Sequence, residues 1–588
     1  MCQDYIDTRG VFVTILKTFF KALNDEESKI IPILASDKIG WIVRCAINEL
    51  DWYYYNYAQA KDPTNEDKER LYILQIGTAR LIKLALESRE SFDAPVLTFR
   101  RQSELTEKSL SIASALGIIQ HGRRVAQTIS IGIGAIQEIN SKEFDITLPE
   151  EIEDDEFYER SLREHYYWES RRMFKEITSI DKWQEMENKV DEKLKELVYP
   201  FMEHFIGYES APILDEYFFA LASYEVSLQE GYDTYHYKLK FGGIKFQHYM
   251  LALKFMVSSS IRHIRCANIL VEKHPEIRLE DILTISADVK SYIESLRDAV
   301  NYFGAAYEDF SEINLEQATQ IFDVLTYSRA NLNLIDAPGS PYPIFVKNSE
   351  TGLIKGLFGA KSEPVRYLLE SLRFHFPKDF DKNQASRETA FQRACVRVLN
   401  NTYSGLEYRE NVKFRLNGQV LSDIDLVVLQ KSTGTILLIQ LKHQELYGSD
   451  IHAKSTRNAR LNKQIQSWMS AVNKWKAHVG SKGVRETLGI KGSEWPQDLN
   501  IYRIALSRHF VHSLKSMVFE EDTAFANWPQ FYNSNQIVQR DCSEPTLDDL
   551  VATLRMHQYQ PEMVTHLEEP TTQWIIGDLK FKTSQCGE

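Results

Sequence analysis

The chain has 588 residues, too many for one hydrophobic core, and its 43% hydrophobic and 26% charged residues are typical of folded proteins rather than disordered ones. Its 69 basic and 83 acidic residues give a net charge of −14, which excludes a protein that coats nucleic acid through bulk positive charge. The six cysteines are scattered without a C-x-x-C pair, which excludes a zinc knuckle and suggests a reducing compartment.

The N-terminal sequence carries no secretory signal. Its apolar run, residues 11–16, follows Asp4 and Asp7 and stops at Lys17. No stretch approaches the roughly 18 consecutive apolar residues of a membrane-spanning helix. We therefore expect a cytoplasmic protein without a membrane partner.

Residues 1–335 predict a large all-α domain. Apolar residues recur at a spacing of three to four, with few Gly or Pro residues, as in 66–87, 182–206, 246–273 and 312–334. The acidic run 150–156 suits a loop or a helix N-terminus, so this domain could divide near 145–156. Residues 129–136 contain two glycines but lack the setting of a nucleotide loop, and we interpret them as a helix or turn.

Three prolines and a glycine between Asp336 and Pro343 predict a linker, which we place at 336–360. The second domain, 361–588, begins with helical patterns at 361–375 and 386–400. Strand patterns follow, then a long helix and a last strand, over 406–415, 422–430, 435–442, 456–478 and 500–507. This order predicts an α/β fold with its core at 385–510.

Asp425 lies in an otherwise apolar strand, where a carboxylate is costly unless it is paired or binds a metal. Gln440 and Lys442 close the next strand and share one face, because strand side chains alternate. If the two strands form a hairpin through the turn at 431–434, the three side chains meet. The sequence thus predicts an acid, amide and lysine cluster.

Such a cluster suits the hydrolysis of a phosphodiester. Mg²⁺ prefers oxygen ligands, which Asp425, the Gln440 side-chain carbonyl and the Leu441 backbone carbonyl would supply. The metal would polarise the phosphate and activate a water. Lys442 would orient or help deprotonate that water and offset charge developing on the phosphate oxygens.

Asp425 followed by Gln440-x-Lys442 on consecutive strands, after a helix carrying Glu388, resembles the PD-(D/E)xK nuclease superfamily. The resemblance covers 385–510 and implies a restriction-endonuclease-like central mixed β-sheet flanked by helices. It implies that Glu388 joins Asp425, Gln440 and Leu441 around Mg²⁺, for which Mn²⁺ can substitute, and that Gln464 on the following helix lies near the site. The family usually has Asp or Glu where this chain has Gln440, although some active members use Gln.

Less specific interpretations compete with each of these roles. Asp423, two residues earlier on the same strand, is the alternative carboxylate. Asp425 and Lys442 could form a buried salt bridge without catalysis. Glu388 could serve the helix dipole, and Gln464 could be an ordinary polar helix residue. His509 and His512, an H-x-x-H at a strand end, are interpreted as structural.

The helix after Lys442 is locally basic. Residues 451–480 contain no acidic residue and six basic ones, Lys454, Arg457, Arg460, Lys463, Lys474 and Lys476. Cations beside the cluster suit a phosphate backbone, and we expect Lys454, Arg457, Arg460 and Lys463 to bind it. Trp468 and Trp475 continue the apolar stripe and are expected in the core. A basic solvated helix face is the alternative.

Together these features predict a metal-dependent endonuclease that acts on DNA rather than RNA. By analogy of domain layout, we expect a role in prokaryotic defence against phage or foreign DNA. Cutting two strands with one site per chain favours a homo-oligomer, most simply a dimer. The helical domain would regulate the enzyme, oligomerise or bind a protein partner. The alternatives are an inactive nucleic-acid-binding or scaffolding protein and an RNA-directed nuclease.

Overall fold

The computed structural model describes residues 2–36, 38–92, 102–130, 134–149, 175, 181–230, 235–335, 340–443, 451–491, 494–509, 520–556 and 571–586. These residues form two bodies with separate cores. The helical body consists of residues up to 383 together with a hairpin at 572–586, and the α/β body spans 385–556.

Helices dominate the helical body. They are α1 (Cys2–Leu34), α2 (Ile39–Gln59), α3 (Asn65–Ser88), α4 (Ser103–Ser130), α5 (Asp181–Leu197), α6 (Pro212–Glu230), α7 (Phe246–Lys273), α8 (Val289–Gly304), α9 (Leu315–Leu325), α10 (Leu357–Lys361), α11 (Pro364–His375) and α12 (Pro377–Asn383), with 3-10 helices at Leu279–Asp281 and Arg329–Ile335.

Small sheets join these helices. Their strands are β1 (Ala135–Asn140), β2 (Glu143–Pro149), β3 (Val198–Phe201), β4 (Phe205–Tyr208), β5 (Lys240–Phe241), β6 (Ile244–Lys245), β7 (Ile285–Asp288), β8 (Thr326–Tyr327), β9 (Phe345–Lys347) and β10 (Gly352–Lys355). The N-terminal region is therefore mainly helical, but the prediction that it is all-α is wrong.

The predicted helix boundaries hold in some places and fail in others. The patterns at 66–87 and 246–273 coincide with α3 and α7. The pattern at 182–206 instead breaks after α5 into the β3–β4 hairpin, whose turn holds Met202 and Glu203 at φ 47° and 66°. Left-handed turn residues cannot continue a helix, so the apolar periodicity there belongs to two kinds of element.

Helices α3 and α4 approach each other closely through two glycines. A Cβ on Gly77 would lie 1.8 Å from the Ala113 carbonyl oxygen, and one on Gly117 would lie 2.2 Å from the Ile73 carbonyl oxygen. Only a residue without a Cβ fits at either position. This crossing could not be predicted from the sequence, because isolated glycines in a helical pattern indicate only weak helix positions.

Most of the described part of the segment predicted as the linker 336–360 packs in the helical body, whereas Glu350 and Thr351 are exposed. Ile344 and Phe345 are each 1% exposed, and the main core of this body continues to Phe380. Residues 336–339 lie outside the described residues. The change of core thus comes near residue 384 rather than at the proline cluster, because the prolines bend a chain that stays buried.

The end of the chain returns to the helical body. Strands β16 (Thr572–Ile576) and β17 (Leu579–Cys586) form a hairpin, and β17 pairs in parallel with β2 from Lys580↔Glu143 to Cys586↔Pro149. Trp574 and Phe581 belong to the main core of the helical body. The α/β body is therefore tied to the helical body at both of its ends.

The α/β body has the element order expected from the sequence. It contains α13 (Ala385–Thr402), β11 (Leu406–Leu416), β12 (Gln419–Gln430), β13 (Thr435–Lys442), α14 (Ile451–Leu488), β14 (Asn500–Ser507), β15 (Thr523–Asn527), α15 (Trp528–Asp541) and α16 (Leu547–Met556). The sheet order is β11-β12-β13-β14-β15, antiparallel up to β13 and parallel beyond it. One core lies between the sheet and α13, and the other lies between the sheet and α14.

The length and apolar content of the helices bear on membrane insertion. Within the described ranges, no helix combines the length and the apolar content that a membrane crossing needs.

Candidate functional site

At one position, strands β11 and β12 switch the face that packs against the α13 core and the face that packs against the α14 core. Leu426 and Val428 pack in the α13 core, whereas Ile424 packs in the α14 core although a regular strand would place all three on one side. The matching residue of β11, Asn411, has φ 53° and lies opposite this switch. Asp425 therefore sits where the strand leaves one core for the other, which explains how a carboxylate fits in an apolar strand.

The Asp425 carboxylate accepts hydrogen bonds from β13 just beyond the point where the pairing of β12 with β13 ends. Pairing between β12 and β13 ends at Leu426↔Ile439. One residue further, Asp425 Oδ2 accepts hydrogen bonds from Gln440 Nε2 at 2.5 Å and from the Leu441 backbone N–H at 2.7 Å. The turn at residues 431–434, with Gly434 at φ 72°, closes this hairpin as expected.

Gln440 presents a buried oxygen without a partner. The residue is 6% exposed, and its amide nitrogen is held by Asp425. Its Oε1 atom is buried and accepts no hydrogen bond from the described residues. Such an acceptor costs about 1–3 kcal/mol, so native proteins rarely keep one without a ligand or water.

The pKa of the Asp425 carboxyl is raised to about 6, chiefly by burial, and the nearby negative charges of Asp423 and Glu388 act in the same direction. The Leu441 N–H and the positive charge of Lys442 act in the opposite direction. Lys442 is half-buried and makes no ion pair with the described residues, so it influences Asp425 only from a distance. The cluster thus has a carboxylate whose ionised form would be stabilised by a bound cation.

Glu388 approaches the cluster from α13. Gln392, one turn further along this helix, donates from Nε2 to the Asp425 backbone carbonyl at 2.6 Å. Residues four apart share a helix face, so Glu388 lies on the side of α13 that faces Asp425. Its side chain is exposed, and its charge acts on the Asp425 carboxyl. Of the predicted residues, Gln440 contacts Asp425 directly, whereas Glu388 and Lys442 act on its carboxyl through their charges.

Gln464 is not part of this grouping. It is exposed on α14, and no hydrogen bond links it to Asp425, Gln440 or Lys442 among the described residues. Trp468 and Trp475 are buried at 4% and 1% exposure, as the apolar stripe predicts.

The basic residues of α14 are only partly described. Arg460, Lys463 and Lys474 are exposed, and Lys476 pairs with Asp522 at 3.3 Å. The side chains of Lys454 and Arg457 lie outside the described residues. The described cations therefore leave a basic exposed surface along α14.

Residues that the sequence did not indicate also border the site. Helix α14 connects two parallel strands, so its first turns lie at the carboxyl ends of β13 and β14. There Asn458 and Asn462 have buried Oδ1 atoms without a partner among the described residues. Arg508, 2% exposed, donates its backbone N–H to the Lys442 carbonyl at 2.9 Å. The sequence signal that could have indicated them is that Asn458 and Asn462 continue the apolar helical stripe of Leu461 and Ile465.

The competing interpretations are separated by geometry. Asp423 is exposed and lies across from Lys413, where β12 pairs with β11 but no longer with β13, and its charge acts on the Asp425 carboxyl. No buried ion pair joins Asp425 to Lys442 in the described part of the chain. His509 is buried at 1% exposure, and His512 lies outside the described residues.

The oxygen donors at the site are mixed in charge. They are the Asp425 and Glu388 carboxylates and the Gln440 amide oxygen, and Leu441 could add its carbonyl. Nowhere in the described ranges do three or more His, Cys, Asp or Glu side chains converge as a metal-binding group. The donor set is therefore one of oxygens, which suits a hard cation rather than zinc.

Comparison of the chain with protein-family models, curated proteins and solved structures found no match.

Proposed function

We propose that the chain is a metal-dependent nuclease with a restriction-endonuclease-like α/β body. The observation that carries the proposal is the buried Gln440 Oε1, which accepts no hydrogen bond from the described residues and lies beside an Asp425 carboxyl whose pKa is raised to about 6. A cation there would satisfy the oxygen and stabilise the ionised carboxylate. The mixed sheet with helices packed on both of its faces supports the proposal.

Asp425, Gln440 and Glu388 would hold Mg²⁺, with Mn²⁺ as a substitute, and the Leu441 carbonyl is a further ligand. When bound, the ion would supply Lewis-acid polarisation of a phosphate and a lower pKa for a bound water. Lys442, half-buried and without an ion pair among the described residues, would contact a phosphate oxygen or the attacking water. The pair of hydrogen bonds from Gln440 and Leu441 orients the Asp425 carboxylate for this role.

DNA is the proposed substrate, cut internally by an enzyme in the cytoplasm. Arg460 and Lys463 give α14 exposed positive charge, in a chain whose net charge is −14. We propose that two copies act together, that the helical body binds a protein partner or regulates the enzyme, and that the setting is defence against phage or foreign DNA. A role for Gln464 is not part of the proposal.

The test is cleavage of supercoiled plasmid in Mg²⁺ or Mn²⁺ by the native chain and by Asp425→Ala and Lys442→Ala. We expect metal-dependent nicking or linearisation that both substitutions reduce by at least about a hundredfold. Lys431→Ala, at the other end of the same hairpin, is the matched control and should retain most cleavage.

Single-stranded DNA and RNA would be assayed in parallel. Cleavage of RNA alone would replace the DNA proposal with an RNA-directed nuclease. A folded native chain that cleaves none of the three substrates would refute the nuclease proposal.

A second candidate is a nucleic-acid-binding or scaffolding protein without catalysis. It is favoured by the neutral amide of Gln440, because only two carboxylates then face the site. This candidate predicts salt-dependent DNA binding that Asp425→Ala leaves unchanged or strengthens, without strand cleavage in any divalent metal.

A further inference from the structure

The two bodies meet at the first turn of α13. Phe380 belongs to the core of the helical body, and Phe391 belongs to the core of the α/β body. Between them Arg387 is only 2% exposed, and its guanidinium lies 5.4 Å from the ring centre of Tyr235 in the helical body. An arginine stacked on an aromatic ring in a buried setting is an attractive contact.

Tyr235 is fixed in turn by its own body. It is 4% exposed, and its ring packs edge-on against Phe241, Phe246 and Phe380 at centroid distances of 4.9, 5.7 and 5.5 Å. Its hydroxyl donates to Gln384 Oε1 at 3.1 Å, just before α13 begins. Asn383 adds a hydrogen bond from Nδ2 to the Lys240 carbonyl at 3.0 Å.

A second attachment holds α13 on the other side of Glu388. Gln392 is bonded to the Asp425 backbone carbonyl. Glu388 follows Arg387 directly and precedes Gln392 by one turn. The carboxylate is therefore carried by a short helical segment that is held at one end by the helical body and at the other end by the strand that bears Asp425.

We infer that Tyr235 and Arg387 are positioning residues, through which the helical body sets the place of Glu388 relative to Asp425. This inference rests on the proposed metal-dependent function of the site. Its consequence is that metal affinity depends on a contact between the two bodies, although neither Tyr235 nor Arg387 binds the ion. A partner or ligand that moves the helical body at Tyr235 would change the activity of the site.

The test compares Tyr235→Leu, which removes the ring beneath Arg387, with Tyr235→Phe, which keeps it. The matched control is Tyr327→Phe, because Tyr327 is also buried in the helical body and donates its hydroxyl to the Leu332 carbonyl. Two readouts are needed on the full chain: hydrogen exchange of the amides in 385–392, and Mn²⁺ affinity by calorimetry.

We expect Tyr235→Leu to speed exchange in 385–392 and to weaken Mn²⁺ binding, each about tenfold, as follows from loss of a buried cation–π contact. Tyr235→Phe should change both by about threefold or less, since only one hydrogen bond is lost. Tyr327→Phe should leave both at the native value. Arg387→Lys, which keeps the charge but not the planar stack, provides the same comparison should Tyr235→Leu fail to fold.

Unchanged exchange in folded Tyr235→Leu would overturn the inference, and so would faster exchange with native Mn²⁺ affinity. A native chain that binds Mn²⁺ and cleaves DNA, with variants indistinguishable from it, would remove the inference and leave the proposed function intact. A native chain that neither binds Mn²⁺ nor cleaves would remove the proposed function itself.

Discussion

Replacing Gln440 by glutamate would turn a hydrogen bond into a repulsion. Gln440 Nε2 lies 2.5 Å from Asp425 Oδ2, so the new carboxylate would face the existing one even after the side chains move apart. Two negative charges about 4 Å apart repel by about 4 kcal/mol at an effective dielectric constant of about 20. Keeping Asp425 protonated two pH units above its pKa of about 6 avoids this repulsion, so we expect Gln440→Glu to lower the free energy of unfolding by about 3 kcal/mol at pH 8 in the absence of metal.

The sign of the pH dependence follows from the same charges. A proton shared by the two carboxylates removes the repulsion, and holding it costs about 1.4 kcal/mol for each pH unit above the Asp425 pKa of about 6. At pH 5 the native Asp425 carboxyl already holds a proton, so the loss of stability should nearly vanish. Mn²⁺ at a concentration of about a hundred times its dissociation constant should restore about 3 kcal/mol of unfolding free energy at pH 8, because the ion binds the folded variant.

The assay is guanidinium denaturation followed by tryptophan fluorescence, at pH 5 and pH 8, with and without Mn²⁺. Gln419→Glu makes the same chemical change at an exposed position of β12 and is the control. A variant that is equally stable at both pH values, or that Mn²⁺ stabilises no more than the control, would refute the assignment of Asp425 and Gln440 to a cation site.

Three further predictions follow from other contacts. Because the pKa of Asp425 is about 6, protons should compete with the ion, so Mn²⁺ affinity measured by calorimetry should fall about tenfold per unit below pH 6; affinity independent of pH would contradict this. Asp51 is 1% exposed and burial raises its pKa to about 6, so its contribution to stability is fully present below about pH 4 and is lost as pH rises through 6. The free energy of unfolding of the native chain should therefore fall by roughly 3 kcal/mol between pH 4 and pH 7, and Asp51→Asn should abolish this fall. A variant with the same pH dependence as the native chain would contradict the prediction. Gly77→Ala should destabilise the α3–α4 contact by about 3 kcal/mol in thermal unfolding, because the new methyl would lie 1.8 Å from the Ala113 carbonyl oxygen; a melting temperature equal to that of the native chain would disprove the close crossing.

Strands β13 and β14 of the α/β body were predictable from local sequence because they are eight residues long, mostly apolar and largely buried. The expected strands 435–442 and 500–507 coincide with β13 and β14, and the turn glycine Gly434 has the positive φ that such a turn requires. Asp425 stood out for the same local reason, as a single carboxylate within an apolar run.

Features that depend on contacts between distant parts of the chain could not be predicted from the sequence. The segment 340–360 resembles a linker in composition, yet Ile344 and Phe345 are buried by helices far away in the chain. Strand β17 pairs with β2 at the opposite end of the sequence. No local pattern reports either contact, since burial against remote elements leaves the composition of a segment unchanged.

Some members of the site were predictable from the sequence, and others, such as Asn458 and Asn462, were not. Alternation placed Gln440 and Lys442 on one face, but the unpartnered Gln440 Oε1 exists because the ladder ends at Leu426↔Ile439 and Asp425 occupies the next position. The contact of Arg387 with Tyr235 joins two bodies whose packing a single sequence does not reveal.

The central claim is that Asp425 and Gln440 form a cation site, and Mn²⁺ binding at pH 8 by electron paramagnetic resonance tests it most directly. The native chain and Asp425→Asn, which keeps the shape of the side chain, would be titrated side by side. We predict a bound ion in the native chain and an affinity at least about tenfold weaker in the variant. Equal Mn²⁺ binding by the two proteins would contradict the account.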